Sequence, residues 1–214
     1  MDVSEIKKEF KSDRHYRGQI VSETVVEASA PRFGKLNAPL SSSVKESLLR
    51  AGTDRLYTHQ AGAANAVREG NNVVVVTGTA SGKSLCYNIP VLEAVENDKR
   101  SKALYLFPTK ALAQDQLKAL GAFRLEHVVA ATYDGDTPAR DRRTIRDDAN
   151  IVLSNFDMLH YGILPYHSRW GSFLMNCRFV VIDEMHTLRG VYGSNCANVL
   201  ARLRRVLDRY MART

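Results

Sequence analysis

The tightest constraint on this chain is the run Val73-Val74-Val75-Val76-Thr77-Gly78-Thr79-Ala80-Ser81-Gly82-Lys83-Ser84. Four β-branched residues in succession predict a short strand buried on both faces. The small residues from Thr77 to Gly82 predict a loop, and a helix with apolar Leu85, Ile89, Leu92 and Val95 is expected from about Lys83. Such a loop leaves several backbone N–H groups unpaired and aimed at one point, beside the positive end of a helix dipole. That arrangement suits phosphate. Thr79, Ala80, Ser81 and Gly82 then belong to the cradle, the Lys83 ammonium reaches the β- and γ-phosphates of a nucleotide, and the Ser84 hydroxyl ligates Mg²⁺. Thr77 stands where the general pattern G-x-x-x-x-G-K-[ST] has its first glycine.

A chain of 214 residues is long enough for one large domain with a sizeable core. Its 30 Lys+Arg against 23 Asp+Glu give a net charge of +7, which is compatible with a polyanionic partner without demanding one. Cys86, Cys177 and Cys196 have no paired spacing, and their odd count argues against a disulfide framework. A reducing, cytoplasmic setting is the expectation. The histidines do not fall at metal-ligand spacing with those cysteines, so no structural zinc is expected. The amino terminus lacks the apolar core of a signal peptide, and no run approaches the length of a membrane span.

Residues 1–35 read as an accessory segment. Val3, Ile6 and Phe10 fit one face of a short helix, and Gln19 to Ala28 is the place for a strand. Pro31, Gly34 and Pro39 then punctuate a loop, and a helix is expected from Ser41 to a stop at Gly52. Gln60 precedes a helix of small residues from Ala61 to Glu69. Its amide offers a donor and an acceptor together, matching the N6 and N7 edge of adenine. Taken alone, Gln60 is better read as simply a polar residue near a helix start.

Beyond the phosphate loop, strands are expected at Ala103–Phe107, His127–Thr132 and Ile151–Leu153, and at Arg178 to Glu184. Helices are expected between them and from Asn195 to Tyr210. Strands alternating with helices imply a mainly parallel sheet covered on both faces, with its ligand site at the carboxyl ends of the strands. The polar clusters that follow Phe107, Thr132, Leu153 and Ile182 fall at such ends. The last strand finishes in Asp183-Glu184, 100 residues after Lys83. There Asp183 would hold the Mg²⁺ that bridges the phosphates, and Glu184 would orient and deprotonate the attacking water.

The motifs now resemble a known set. Leu56 to Gln60, Thr77 to Ser84 running into Leu85-Cys86-Tyr87, and Phe107-Pro108-Thr109-Lys110 to Gln116 look like three successive helicase motifs. Tyr133-Asp134-Gly135-Asp136-Thr137, Ser154-Asn155-Phe156 to His160, and Asp183-Glu184-Met185-His186 follow in order. The set resembles the first motor domain of DExH-box superfamily 2 helicases, and within these the MrfA/YprA-type DNA-repair helicases. Leu188 to Ser194 matches that group as well. The resemblance implies a RecA-like P-loop NTPase domain over residues 36–214 that binds ATP and Mg²⁺. It implies that Gln60 reads adenine, Lys83, Asp183 and Glu184 act on the nucleotide, and His186 couples nucleotide state to a second RecA-like domain. It further implies that Pro108, Thr109, Lys110, Gly135, Asp136, Thr137, Ser154 and Asn155 grip one strand's backbone, with single-stranded DNA as partner and no membrane involved.

Phe156 stands where the group usually shows proline. No Ser-Ala-Thr motif follows Asp183, so the domain is expected to stop before the strand that the resemblance puts between the phosphate-loop strand and the Asp-Glu strand. The second motor domain, supplied in cis or in trans, is also absent from the sequence. The expectation is an incomplete, weakly active ATP hydrolase. Two alternatives stay open: a remodeller of RNA, against which Met185-His186 argues, and a degenerate non-catalytic module that binds nucleotide or nucleic acid.

Overall fold

The computed structural model describes residues 2–25, 30–78 and 81–212. Helix α1 is Val3–Ser12, α2 Ser42–Arg50, α3 Thr58–Arg68 and α4 Ser84–Asn97. Strand β1 (Lys102–Phe107) follows, then α5 (Lys110–Gly121), β2 (Ala130–Thr132), α6 (Asp141–Asp148) and β3 (Ile151–Asn155). A short α7 (Phe156–Met158) leads through one π and one 3-10 segment to α8 (Gly171–Met175). Strand β4 (Cys177–Ile182) and the long α9 (Gly190–Arg209) complete the order. The chain divides into two compact units, Met1–Pro31 and Arg32–Thr214.

In the larger unit the sheet is built on β1, all six residues of which are buried. It pairs in parallel with β3 on one side and β4 on the other, and β2 extends the sheet beyond β3, giving the order β2-β3-β1-β4. A strand enclosed on both faces needs apolar side chains in both directions, which is why β1 reads as a continuous run. Ala103, Tyr105 and Phe107 pack with Ile89, Leu92 and Leu153 in one core layer. Leu104 and Leu106 point the other way, into a layer with Trp170, Phe173, Leu203 and Leu207. The expected parallel sheet with helices on both faces is what forms.

Local chemistry accounts for the helix ends. Ser41 Oγ accepts from Val44 N–H at 3.4 Å and caps α2. Gly52 and Gly70, at φ +83° and +82°, take the left-handed turns that follow α2 and α3. The stem of Lys102 runs through the interior so that its ammonium donates to the carbonyls of Asp147, Asp148 and Ala149, satisfying the end of α6.

Four expectations change. Val73–Val76 is not a strand, and Val74 and Val76 are 72% and 89% exposed. A ladder needs a neighbour as well as β-branched residues. The far edge of β4 pairs with no strand among the described residues, and a cavity of about 920 Å³ is lined both by Val73 and Val75 and by β4. This is the position that the resemblance gives to the strand expected after the Asp-Glu motif. The second change falls at residues 19–25, which are irregular, with Val21 and Val25 exposed; residues 26–28 of that expected strand lie outside the described residues. Third, β2 is only three residues long, because Val129 turns instead to Asn150, whose side-chain oxygen accepts its N–H at 3.1 Å. Fourth, α9 begins at Gly190, earlier than the apolar periodicity announces.

All three cysteines are free and buried. Burial pushes the Cys86 thiol up to about 11 and the Cys177 thiol up to about 12. Neither carries appreciable thiolate at pH 8, so the folded chain should resist alkylation by iodoacetamide and the urea-unfolded chain should not. Rapid labelling of Cys86 without urea would contradict this packing. A second expectation concerns Trp170, which is 1% exposed and meets the rings of Tyr133 and Phe173 edge-on at 4.8 and 5.5 Å. Trp170→Ala should cost about 3–5 kcal/mol in urea unfolding followed by far-ultraviolet circular dichroism. A cost under about 1 kcal/mol would mean that this layer is not a packed core.

Candidate functional site

The loop before α4 is fastened to α3. His59 Nε2 lies 2.9 Å from the Ser81 carbonyl, and Gln60 Nε2 donates to the Gly82 carbonyl at 3.0 Å. Gln60 Oε1 accepts from Tyr57 N–H at 2.9 Å. Gln60 is 2% exposed, and each end of its amide already has one partner. Gly82 takes φ +71°, and a Cβ there would meet Gln60 Nε2 at 2.6 Å. The left-handed backbone favours glycine, and a Cβ there would displace the Gln60 amide from the Gly82 carbonyl.

Within the loop the Thr77 and Ser81 hydroxyls are 2.7 Å apart. Lys83 turns back on its own loop, donating to the carbonyls of Thr77 at 3.2 Å and Gly78 at 2.9 Å. Ser84 is the first residue of α4. Thr79 and Ala80, both expected in the cradle, lie outside the described residues.

Asp183 sits one step past β4, and its N–H continues the ladder to the Leu106 carbonyl at 3.0 Å. Its Oδ1 accepts from Glu184 N–H at 2.8 Å and its Oδ2 from Tyr87 O–H at 3.0 Å. Burial first, then the charge of Asp183, pushes the Tyr87 phenol far above its ordinary value, so it remains a proton donor. Lys83, Tyr87 and Asp183 line the same 920 Å³ cavity. Glu184 holds a left-handed backbone, φ +52° and ψ +36°, a costly position for a residue with a side chain and one found often at working sites. Its carboxylate pairs with His186 Nδ1 at 3.2 Å. Neither Glu184 nor His186 lines the cavity.

The remaining expected residues gather at the carboxyl ends of β1, β2 and β3, and they differ in how free their side chains are. Thr109 Oγ1 caps α5 by accepting from Leu112 N–H at 3.3 Å, and Asn155 Oδ1 caps α7 by accepting from Met158 N–H at 2.8 Å. Lys110 and Asp136 form an ion pair of 2.7 Å, and Asp136 raises the lysine's pKa. Thr137 Oγ1 accepts from Asp134 N–H at 2.9 Å, closing the turn that contains Gly135. Lys110, Asp136 and Thr137 line a second, open cavity of about 590 Å³ together with Asp134, Asp141 and Gln114. Pro108, Thr109, Gly135 and Asn155 lie outside its lining. Ser154 does not come to the surface: it is 1% exposed and donates to the Tyr133 carbonyl at 2.6 Å.

Sequence reasoning missed two features. Tyr87 is one helical turn past Lys83, and that spacing was the available signal for a side chain on the same face. The other is a tier of rings beside Gln60. Phe33 stacks on Tyr57 at 5.5 Å, Tyr57 on His59 at 5.8 Å, and the Arg55 guanidinium covers Phe33 at 3.7 Å. Nothing local in the sequence ties Phe33 to Tyr57, which meet through an antiparallel bridge.

A model of the DEAD/DEAH box helicase family matches residues 57–213. Over 205 residues the chain is 43% identical to the uncharacterized ATP-dependent helicase YprA of Bacillus subtilis, covering 94% of this chain and 27% of that protein. It is 40% identical over 214 residues to the ATP-dependent helicase hrq1 of Schizosaccharomyces pombe, covering 96% of this chain and 20% of the relative. A crystal structure of the DUF1998 helicase MrfA bound to DNA and AMPPNP superposes with a TM-score of 0.86 at 40% identity, covering 98% of this chain and 29% of that one. The Mycobacterium smegmatis helicase Lhr, bound to ssDNA and AMP-PNP, gives 0.65 at 25% identity, covering 78% of this chain and 23% of that one. The fold is accordingly that of a RecA-like helicase domain. The chain spans less than a third of the length of each of these proteins. No helix of the described residues is long and apolar enough to cross a membrane.

Gly82→Ala should lower thermal stability by about 4–8 °C, because a left-handed alanine and a displaced Gln60 together cost about 2 kcal/mol. Gly78→Ala is the control, since a Cβ there meets nothing within 4 Å among the described residues. Equal melting temperatures for the two variants would remove the argument for the fastened loop.

Proposed function

This chain belongs to the DEAD/DEAH box helicase family, and on that premise we propose that it is the nucleotide-binding portion of an ATP-dependent DNA helicase motor. The observation that carries this reading is that Tyr87, one turn past Lys83 on α4, donates to Asp183 Oδ2 at 3.0 Å, which brings the start of α4 to the end of β4. A cation at a helix start and a carboxylate at a strand end, facing one space, suit a triphosphate and its metal. Relatives described as ATP-dependent helicases, and a solved one bound to DNA and AMPPNP, support both ligands. The motor portion occupies residues 36–214, and residues 1–35 are an accessory segment.

In this reading the backbone of Ser81 and Gly82, with Thr79 and Ala80, cradles phosphate. Lys83 exchanges its carbonyl partners on Thr77 and Gly78 for phosphate oxygens, which reward an ammonium more than neutral carbonyls do. Tyr57 and His59 would take the base against their rings, and Gln60 would meet its edge with the lone pair and N–H that remain free. Ser84 and Asp183 offer the hard oxygen donors that Mg²⁺ takes, and the ion, when bound, neutralises charge on the transferring phosphoryl group. Glu184 accepts a proton from the attacking water, with His186 holding its carboxylate and reporting to a second RecA-like domain. Such a domain supplies the arginines that close over the γ-phosphate, worth about 10³–10⁵ in rate in comparable enzymes. Residues 1–214 expressed without such a domain should therefore hydrolyse ATP poorly and unwind nothing. The buried, unpaired cysteines suit a reducing, cytoplasmic setting.

Pro108, Thr109, Lys110, Gly135, Asp136, Thr137 and Asn155 present loop N–H groups and side chains along one edge, a pattern that positions a backbone without reading bases. Ser154 would serve by holding the Tyr133 carbonyl, so its part is to shape the turn.

Two measurements test the reading. Equilibrium binding of Mg·AMPPNP should weaken at least about tenfold in Lys83→Ala, the scale of losing bonds from a charged donor; wild-type affinity in that variant would refute the phosphate loop. Binding of a fluorescent oligo-dT strand should weaken as salt rises, with log K falling by about 0.7 per neutralised phosphate for each unit of log salt. A salt-independent affinity would contradict a backbone grip, and tighter binding of oligo-rU than oligo-dT would favour an RNA remodeller.

A further inference from the structure

Tyr87 stands between the two halves of the proposed site. On one side its hydroxyl donates to Asp183 Oδ2 at 3.0 Å. On the other it lies 3.4 Å from Gln116 Oε1, on the helix that starts at Lys110. The phenol has little freedom to move. Its ring is edge-on to Tyr105 at 5.2 Å and 83°, and the hydroxyl of Tyr105 is itself tied to Asn88 Oδ1 at 3.0 Å. Asp183 is equally confined, since its other oxygen is taken by Glu184 N–H.

A phenol carries one proton and gives it to one acceptor at a time. A carboxylate accepts more strongly than an amide, so Asp183 holds that proton while Gln116 waits at the longer distance. Rotating the Gln116 amide brings Nε2 to the phenol oxygen, and the two bonds then run in one direction, from Gln116 through Tyr87 to Asp183. Each bond in such a chain strengthens the next. Movement of α5 therefore changes how firmly Asp183 Oδ2 is aimed.

We propose that Tyr87 is a positioning residue that links Gln116 on α5 to the Asp183 carboxylate, so that a nucleic-acid strand held at the start of α5 strengthens Mg²⁺-dependent nucleotide binding. The proposal rests on the reading of Asp183 as the metal-side carboxylate given above. In this proposal Tyr87 has no contact of its own with the nucleotide or the strand and acts through its two neighbours.

The test is titration of the chain with the fluorescent nucleotide mant-ATP, in Mg²⁺ and in EDTA, with and without oligo-dT. Wild type should bind more tightly with Mg²⁺, and more tightly still when the strand is present. Tyr87→Phe keeps the ring against Tyr105. It should leave the affinity in EDTA unchanged, lose about tenfold of the gain from Mg²⁺, and lose the response to oligo-dT. Gln116→Ala, on the partly exposed face of α5, should keep the gain from Mg²⁺ and lose only the response to the strand. A purely structural role would instead weaken binding in EDTA as well. Full retention of the gain from Mg²⁺ in Tyr87→Phe, or a wild type indifferent to the strand, overturns the proposal. Lys83→Ala separates the two levels: if it binds Mg·mant-ATP as wild type does, the nucleotide site itself has been misread.

Discussion

Parallel pairing at β1 is the constraint on which the rest of the larger unit depends. Because β3, β1 and β4 run in the same direction, their carboxyl ends meet at one edge, and connections of helix length must return outside the sheet. Burial of all six β1 residues excludes water from the ladder, while the polar residues that follow each strand are released together. Thr109 and Lys110, Tyr133 to Thr137, Asn155, and Asp183 with Glu184 thus converge without being near one another in the chain. The fold makes the site by stacking strand ends.

A second device fastens what the sheet does not hold. The loop from Thr77 to Gly82 leads away from an irregular segment rather than from a ladder strand, so the sheet gives it no support. His59 and Gln60 supply support from α3 instead, through the carbonyls of Ser81 and Gly82. Gln60 thereby has a structural duty along with any contact to a base. The left-handed Glu184 is the matching strained point at the other end, stabilised by Thr187, whose N–H and hydroxyl both donate to the Glu184 carbonyl.

Much of this was legible in the sequence. Buried parallel strands announce themselves as apolar runs, and the glycines after α2 and α3 mark their turns, so β1, β3, β4 and the flanking helices were readable from local pattern. Val73–Val76 was not, because strand formation is a property of two segments and local propensity reports only one. The residues proposed for the site were readable as strand-end polar clusters, yet their engagement was not. Ser154 is a surface ligand by motif and an interior donor by geometry, since only the packed structure reveals the Tyr133 carbonyl above it. Tyr87 and the Phe33–Tyr57 stack were hidden for the same reason: their partners lie 96 and 24 residues away in the chain.

The central claim is that the ammonium of Lys83 and the carboxylate of Asp183 serve one magnesium–triphosphate. A crystal structure of the chain grown with Mg²⁺ and AMPPNP tests it most directly. The account predicts phosphates in the loop, the Lys83 ammonium moved from the Thr77 and Gly78 carbonyls onto them, and Asp183 bound to the metal directly or through one water. Nucleotide seated elsewhere, or Lys83 still on its own loop with Asp183 away from the metal, would contradict it.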